Sequence, residues 1–142
     1  GMRRYYVRYQ VALKLLLWRG RKVLFLKLAG DRRWDLPGGR IDQGEERVPL
    51  RNILAREVRE ELGPSLRYQL REPLFQFRRR SRSLGVYNFL TAYEGHYRSG
   101  KIRLSSEHES YQWLDPRRHK FSRKDFFNRE EYLAFKRYLK FR

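Results

Sequence analysis

Gly38-Gly39-Arg40-Ile41-Asp42-Gln43-Gly44-Glu45, followed after ten residues by Arg56-Glu57-Val58-Arg59-Glu60-Glu61-Leu62-Gly63-Pro64, is the stretch that decides how this chain is read. Its second block gathers carboxylates where a helix alone gives no reason for them. At 100° per residue, Glu57, Glu60 and Glu61 crowd one face of a single turn. Like charges at this spacing cost roughly 0.2–0.5 kcal/mol per pair, and a divalent cation would reverse that sign. A solvated, salt-bridged face is the simpler reading, because Arg56 can pair with Glu60. The helical wheel points elsewhere. Counted from Leu50, the residues Ile53, Leu54, Val58 and Leu62 define an apolar arc, and Glu57 and Glu61 fall inside it. Arg51, Asn52, Arg56 and Arg59 face largely outward. An inward carboxylate must be paired or bind a metal, since an isolated buried charge costs several kcal/mol. The spacing favours a metal site over a buried ion-pair network.

The helix is well bounded. Pro49 suits its first turn, Gly63 its left-handed stop, and Pro64 forbids continuation, so it is predicted from Pro49 to Leu62. Ahead of it, Trp34-Asp35-Leu36-Pro37-Gly38-Gly39 is a turn-forming segment whose glycines permit carbonyls to face a cation.

This segment resembles the signature of the Nudix hydrolases: Gly, five residues, Glu, seven residues, Arg-Glu-aliphatic-any-Glu-Glu-any-Gly-aliphatic. Gly39 and Glu45 match the first half, and Arg56, Glu57, Val58, Glu60, Glu61 and Gly63 the second. The chain departs from the pattern twice. Ten residues rather than seven separate Glu45 from Arg56, and Pro64 replaces the last aliphatic residue. Three extra residues are close to one helical turn, so they can lengthen the helix or the loop without rotating the acids away.

A second stretch, Leu104-Ser105-Ser106-Glu107-His108-Glu109-Ser110-Tyr111-Gln112-Trp113-Leu114, is similar to the segment that brings another glutamate to the metal cluster in many Nudix enzymes, dinucleoside-tetraphosphate hydrolases especially. Glu107 is the first candidate for that acid and Glu109 the second. On their own they read as two exposed acids in a polar loop. His108 reads as a surface histidine, because carboxylates suit the hard metal expected here.

The resemblance implies an α/β/α sandwich, a mixed sheet flanked by helices, and hydrolysis of a nucleoside diphosphate linked to another group, with Mg²⁺ or Mn²⁺ assisting. It implies that Glu57, Glu60 and Glu61 hold the metal with the Gly38 carbonyl, that Glu57 or Glu107 is the general base, that Arg56 orients the acids, and that Glu45 braces the loop. A nucleoside triphosphate or dinucleoside polyphosphate is the expected substrate. An RNA 5′-pyrophosphohydrolase and a non-catalytic Nudix-fold module that binds RNA or a nucleotide are the alternatives. Three mutually repelling acids favour the enzyme, because a binding module has no use for them.

The rest of the sequence is consistent with one domain over residues 1–142, with Gly1 before Met2 resembling an expression scar. There is no 18-residue apolar run and no signal-peptide pattern, so a membrane location is not expected and the cytoplasm is the default. Cysteine is absent, which removes disulfide and thiol chemistry. Strands are predicted at Tyr5–Trp18 and Lys22–Leu28 as a hairpin, then at Leu66–Phe77, Leu84–Tyr93, Lys101–Leu104 and Tyr111–Leu114, with a helix at Arg129–Leu139.

The net charge of +18 predicts attraction to polyanions. The loop run Arg78–Arg82, with Arg117, Arg118, Lys120, Arg123 and Lys124, is a candidate for phosphates beyond the cleaved bond, RNA included. A general excess of arginine, 26 against 8 lysines, over a solvated surface explains the charge equally well. Gly39 and Arg40 at the foot of the motif, Arg78, and the aromatic residues Trp34 and Tyr87 complete the candidate substrate contacts. Phe77 and Phe89 are further stacking candidates, although such aromatics are more often core or sheet residues.

Overall fold

Leu15-Leu16-Leu17-Trp18 shows no alternation of polar and apolar residues, the mark of a strand covered on both faces. In the computed structural model, which describes residues 3–81 and 85–142, these residues lie in β1 (Tyr9–Arg19) at the centre of a six-stranded mixed sheet. The strands run β4 (Arg67–Arg80), β5 (Tyr87–Ser99), β1, β2 (Lys22–Lys27), β6 (Ser110–Leu114), and the short β3 (Gly38–Arg40) also pairs with β1. One edge of β1 pairs in parallel with β5 from Tyr9↔Tyr87 to Trp18↔His96. Its other edge takes β3 at Ala12–Lys14 and β2 at Trp18–Arg19, both antiparallel.

The two-residue period of β1 sorts its side chains into two cores. Leu13, Leu15 and Leu17 pack with Ile53, Leu54, Val58 and Leu62 of α1 (Leu50–Leu62). Ala12, Leu16 and Trp18 face the other way, toward Phe135 of α2 (Arg129–Phe141). There Phe135 stands 5.5–6.0 Å from the rings of Phe25, Phe121 and Phe126, so much of the aromatic content is core. The expected helix–sheet–helix arrangement is therefore present. Among the described residues, no helix is long and apolar enough to cross a membrane.

Several expected boundaries move, each for a visible reason. β1 begins at Tyr9 rather than Tyr5 because its partner β5 begins at Tyr87, and Tyr5, Tyr6 and Val7 are exposed. Pro49 is the cap of α1 rather than its first residue. Gly38 and Gly39, expected in a turn, lie in β3. Lys101–Leu104 forms no strand: the Arg103 N–H donates to the Leu62 carbonyl and Ser105 N–H to that of Glu61, so this backbone satisfies the end of α1 instead of a ladder. β4 continues to Arg80, which makes Arg78–Arg80 strand rather than loop. Arg82 and Leu84 lie outside the described residues.

On the α2 side of the sheet, four charged side chains form a network that no local pattern announces. Arg79 pairs with Glu131 and, at 3.0 Å, with Asp35, while Lys14 lies 3.4 Å from Asp35 and donates to the Leu36 carbonyl. Burial works to raise the Asp35 pKa, but Arg79 and Lys14 outweigh it and hold this carboxyl well below its usual range. Removing one partner of such a network leaves the others buried and uncompensated. Arg79→Met is expected to cost about 3–5 kcal/mol in urea unfolding, with Arg79→Lys less damaging.

Candidate active site

The acidic stripe of α1 meets the backbone of β3. A Cβ on Gly39 would sit 2.2 Å from a carboxylate oxygen of Glu57, and one on Gly38, where φ is 138°, would sit 2.0 Å from the Leu13 carbonyl oxygen. Both glycines are thus required by close approach and not only by turn geometry. The Gly38 N–H donates to Glu61 Oε2 at 3.1 Å. Glu57 and Glu61 turn inward as the wheel predicts. Burial pushes the carboxyl pKa of Glu61 up to about 7, against the opposing pull of Lys14 and the Gly38 N–H, and it also raises that of Glu57.

Glu60 does not share that face. Its side chain is 59% exposed and pairs with Arg56 at 3.1 Å, because it projects beside the Glu57–Glu61 stripe rather than along it. Arg56 is the hub of this surface. It reaches Glu45 at 2.8 Å, Glu57 at 3.1 Å and Asp42 at 3.5 Å as well as Glu60. With ten residues between them, Glu45 and Arg56 are still in contact, across a turn that ends where α1 begins at Leu50. Glu45 also accepts from the Asp42 N–H at 2.8 Å; that bond and Arg56 lower its pKa.

A cleft of about 730 Å³ opens over these groups. Gly38, Gly39, Arg40, Glu57, Glu61 and Glu107 all line it. Glu109 does not; its backbone is tied to β2 through the Lys27 carbonyl. His108, expected at the surface, is half-buried, and its Nδ1 has no partner. Burial lowers its pKa.

Three expected substrate contacts fall elsewhere. Trp34 is buried in the α2-side core, 6.0 Å from the Phe25 ring. Arg78 is engaged by Glu130 at 2.7 Å. Tyr87 points off the cleft, since Asn88 and Leu90 line it and alternate with Tyr87 and Phe89 along β5. Phe77 is likewise core. Of the arginine run, Arg79 and Arg80 both line the cleft, but Arg79 is committed to Asp35 and Glu131 in the buried network. Sequence reasoning did not single out Asn88, Phe127 or Asn128, which also line the cleft. Counting back by two from Leu90 would have found Asn88. The Phe127 ring lies under the guanidinium groups of Arg33 and Arg79, at 4.2 and 3.9 Å. The Asn88 Oδ1 is buried without a donor.

The model of the NUDIX domain matches residues 8–135. The chain belongs to the Nudix family. Among solved structures, the Nudix chain is similar to a MutT protein from Methanosarcina mazei Go1, with 20% identity, a TM-score of 0.71, and coverage of 96% of this chain and 97% of the other. A MutT NUDIX hydrolase from Burkholderia pseudomallei is 23% identical at a TM-score of 0.67, over 91% and 97% of the two chains. A UDP-X diphosphatase is 17% identical at a TM-score of 0.67, over 98% of this chain and 67% of its own. No curated protein matches the sequence. The protein is a Nudix pyrophosphohydrolase, and Nudix hydrolases generally use divalent metals.

The residues present fit such a metal. Carboxylates are the hard oxygen donors that Mg²⁺ and Mn²⁺ prefer. Glu61, buried beside Glu107 and Asp35 and inclined to hold a proton, gains a compensating charge when a cation binds. Among the described residues, no three acidic or histidine side chains are already gathered as a cage, in keeping with Arg56 holding Glu57 and Glu60.

The raised Glu61 pKa has a definite sign in stability. The folded state holds more protons than the unfolded between about pH 4.5 and 7, so stability falls as pH rises through that window. In chelator, thermal unfolding should show this loss, at most about 3 kcal/mol, and Glu61→Gln should flatten it.

Proposed function

We propose that this protein is a metal-dependent hydrolase of a nucleoside triphosphate or dinucleoside polyphosphate, with Mg²⁺ or Mn²⁺ as its ion. The observation that carries this reading is the convergence of Glu57, Glu61 and Glu107 on one cleft floored by Gly38 and Gly39. Glu57 and Glu61 would hold the ion with the Gly38 carbonyl, and Glu60 would contribute from the rim, where it pairs with Arg56. Bound there, the ion supplies neutralisation of phosphate oxygens and a more acidic water.

Glu107 or Glu57 takes the proton of the water that attacks phosphorus, and burial, which raises the Glu57 pKa, makes that acid a better base. Arg56 positions the acids through charge-assisted hydrogen bonds, and Glu45 fixes Arg56 against the loop. Arg40 and Arg80 at the cleft bind the remaining phosphate charge. The unpaired Asn88 Oδ1 supports a nucleotide over inorganic polyphosphate, because a base supplies the N–H that this buried acceptor lacks. The open basic rim at Arg80 also suits a 5′-triphosphorylated RNA, which is the second reading.

Phosphate release from nucleoside triphosphates, dinucleoside polyphosphates, nucleotide sugars, oxidised nucleotides and triphosphorylated RNA tests the proposal. Turnover should vanish with chelator and fall about 10²–10⁴-fold in Glu57→Gln and Glu61→Gln. Gly39→Ala should also impair it by displacing the Glu57 carboxylate. Glu107→Gln should reduce turnover while Glu109→Gln leaves it unchanged. No hydrolysis across the panel, together with tight nucleotide or RNA binding, would establish a binding module instead.

A further inference from the structure

The outer face of α2 carries a stripe that the core does not use. Leu133, Lys136, Arg137, Lys140 and Phe141 follow helical i, i+3, i+4, i+7, i+8 spacing, which aligns three cations with two exposed apolar side chains on one face. With the loop at Pro116–Phe121 they line a groove of about 910 Å³, separate in its lining residues from the catalytic cleft. Phe141 is 74% exposed, and Arg137 and Lys140 hold their charges 5.9 and 5.5 Å from its ring.

The chemistry of the lining selects the occupant. Arg33, Arg56, Arg78 and Arg79 each face an acid, but among the described residues no acidic side chain lies within 4.0 Å of Lys120, Lys136, Arg137 or Lys140. Arg117 is partly engaged, reaching the Leu139 and Arg142 carbonyls at 3.4 and 3.5 Å, which fastens the loop to the helix end. The groove therefore offers cationic donors and an aromatic face, with neither carboxylate nor amide side chains among its lining residues. A peptide would present its own N–H donors to such a wall. The phosphodiester groups of a nucleic-acid strand are anionic and only accept, and unpaired bases supply the flat surface that an exposed phenylalanine stacks on. In a duplex those faces are hidden.

We propose that this groove is a binding surface for single-stranded nucleic acid, with Lys120, Lys136, Arg137 and Lys140 on the phosphates and Phe141 stacked on a base. The proposal does not depend on the hydrolase reading. Fluorescence anisotropy with a 5′-hydroxyl single-stranded RNA, which carries no pyrophosphate to cleave, separates the two.

Removing three phosphate-binding charges in Lys136→Gln/Arg137→Gln/Lys140→Gln should lower the salt slope of log affinity by about 2. The same charge removed at Arg21→Gln/Lys22→Gln/Lys101→Gln should weaken binding much less. Phe141→Ala should weaken the single strand by about fivefold or more and leave a hairpin duplex unaffected. Circular dichroism and thermal unfolding unchanged from wild type would show each variant folded. Equal loss from both triple variants, duplex bound as tightly as single strand, an unaffected Phe141→Ala, or preference for a glutamate-rich peptide or anionic vesicles would each overturn the proposal.

Discussion

The rest of the molecule is arranged around one close approach: the Glu57 carboxylate lies where a side chain on Gly39 would be. A helix seated this near a strand needs a residue without Cβ beneath it, and it needs an apolar stripe to hold it there. Ile53, Leu54, Val58 and Leu62 supply the stripe, packing on Leu13, Leu15 and Leu17 of β1. Because β1 also pairs with β3, the strand that buries the helix is the strand that carries the glycines. Fold and site therefore share the same contacts.

That closeness has an electrostatic consequence. Burial raises the pKa of both inward acids, and only part of their charge is matched within the fold. Lys14 faces both Asp35 and Glu61, but Asp35 lies closer to ion-pair geometry and is additionally held by Arg79. Asp35 is consequently ionised deep in the structure while Glu61 is left under-compensated. The two buried carboxyls thus diverge, one serving the frame and the other available to a cation.

How much of this was legible in the sequence follows the range of the interactions. The α1 helix, its caps and the inward turn of Glu57 and Glu61 depend on residues within one or two turns, and periodicity exposed them. The outward Glu60 was readable only as the pairing alternative with Arg56, four residues away. The network of Lys14, Asp35, Arg79 and Glu131 joins residues 21, 44 and 52 positions apart, so nothing local distinguished Arg79 from its exposed neighbours. The same limit explains Lys101–Leu104. Its composition suits a strand, but the free carbonyls at the end of α1 claim its N–H groups. Tyr87 was a plausible stacking residue until β5 was placed against β1, after which the pleat gave the cleft to Asn88.

The +18 charge does not act as a uniform field, and this bears on how an anionic substrate reaches an acidic floor. At physiological ionic strength, interactions between exposed charges fade beyond about 8 Å, so the cations on the outer stripe of α2 give no help to phosphates near Glu57. Within the cleft, Arg33 is already matched to Asp31 and Arg79 to Asp35 and Glu131. Arg40, held by the neutral Gln10, and Arg80 face the cleft without an acid of their own among the described residues. The summed charge would draw a polyanion to the surface, and under the proposed function these two arginines would decide where on it the phosphates come to rest. The acids below them repel those same phosphates until a divalent charge intervenes. Under the proposed function, metal dependence would thus be set by the electrostatics of the cleft as much as by the chemistry at phosphorus.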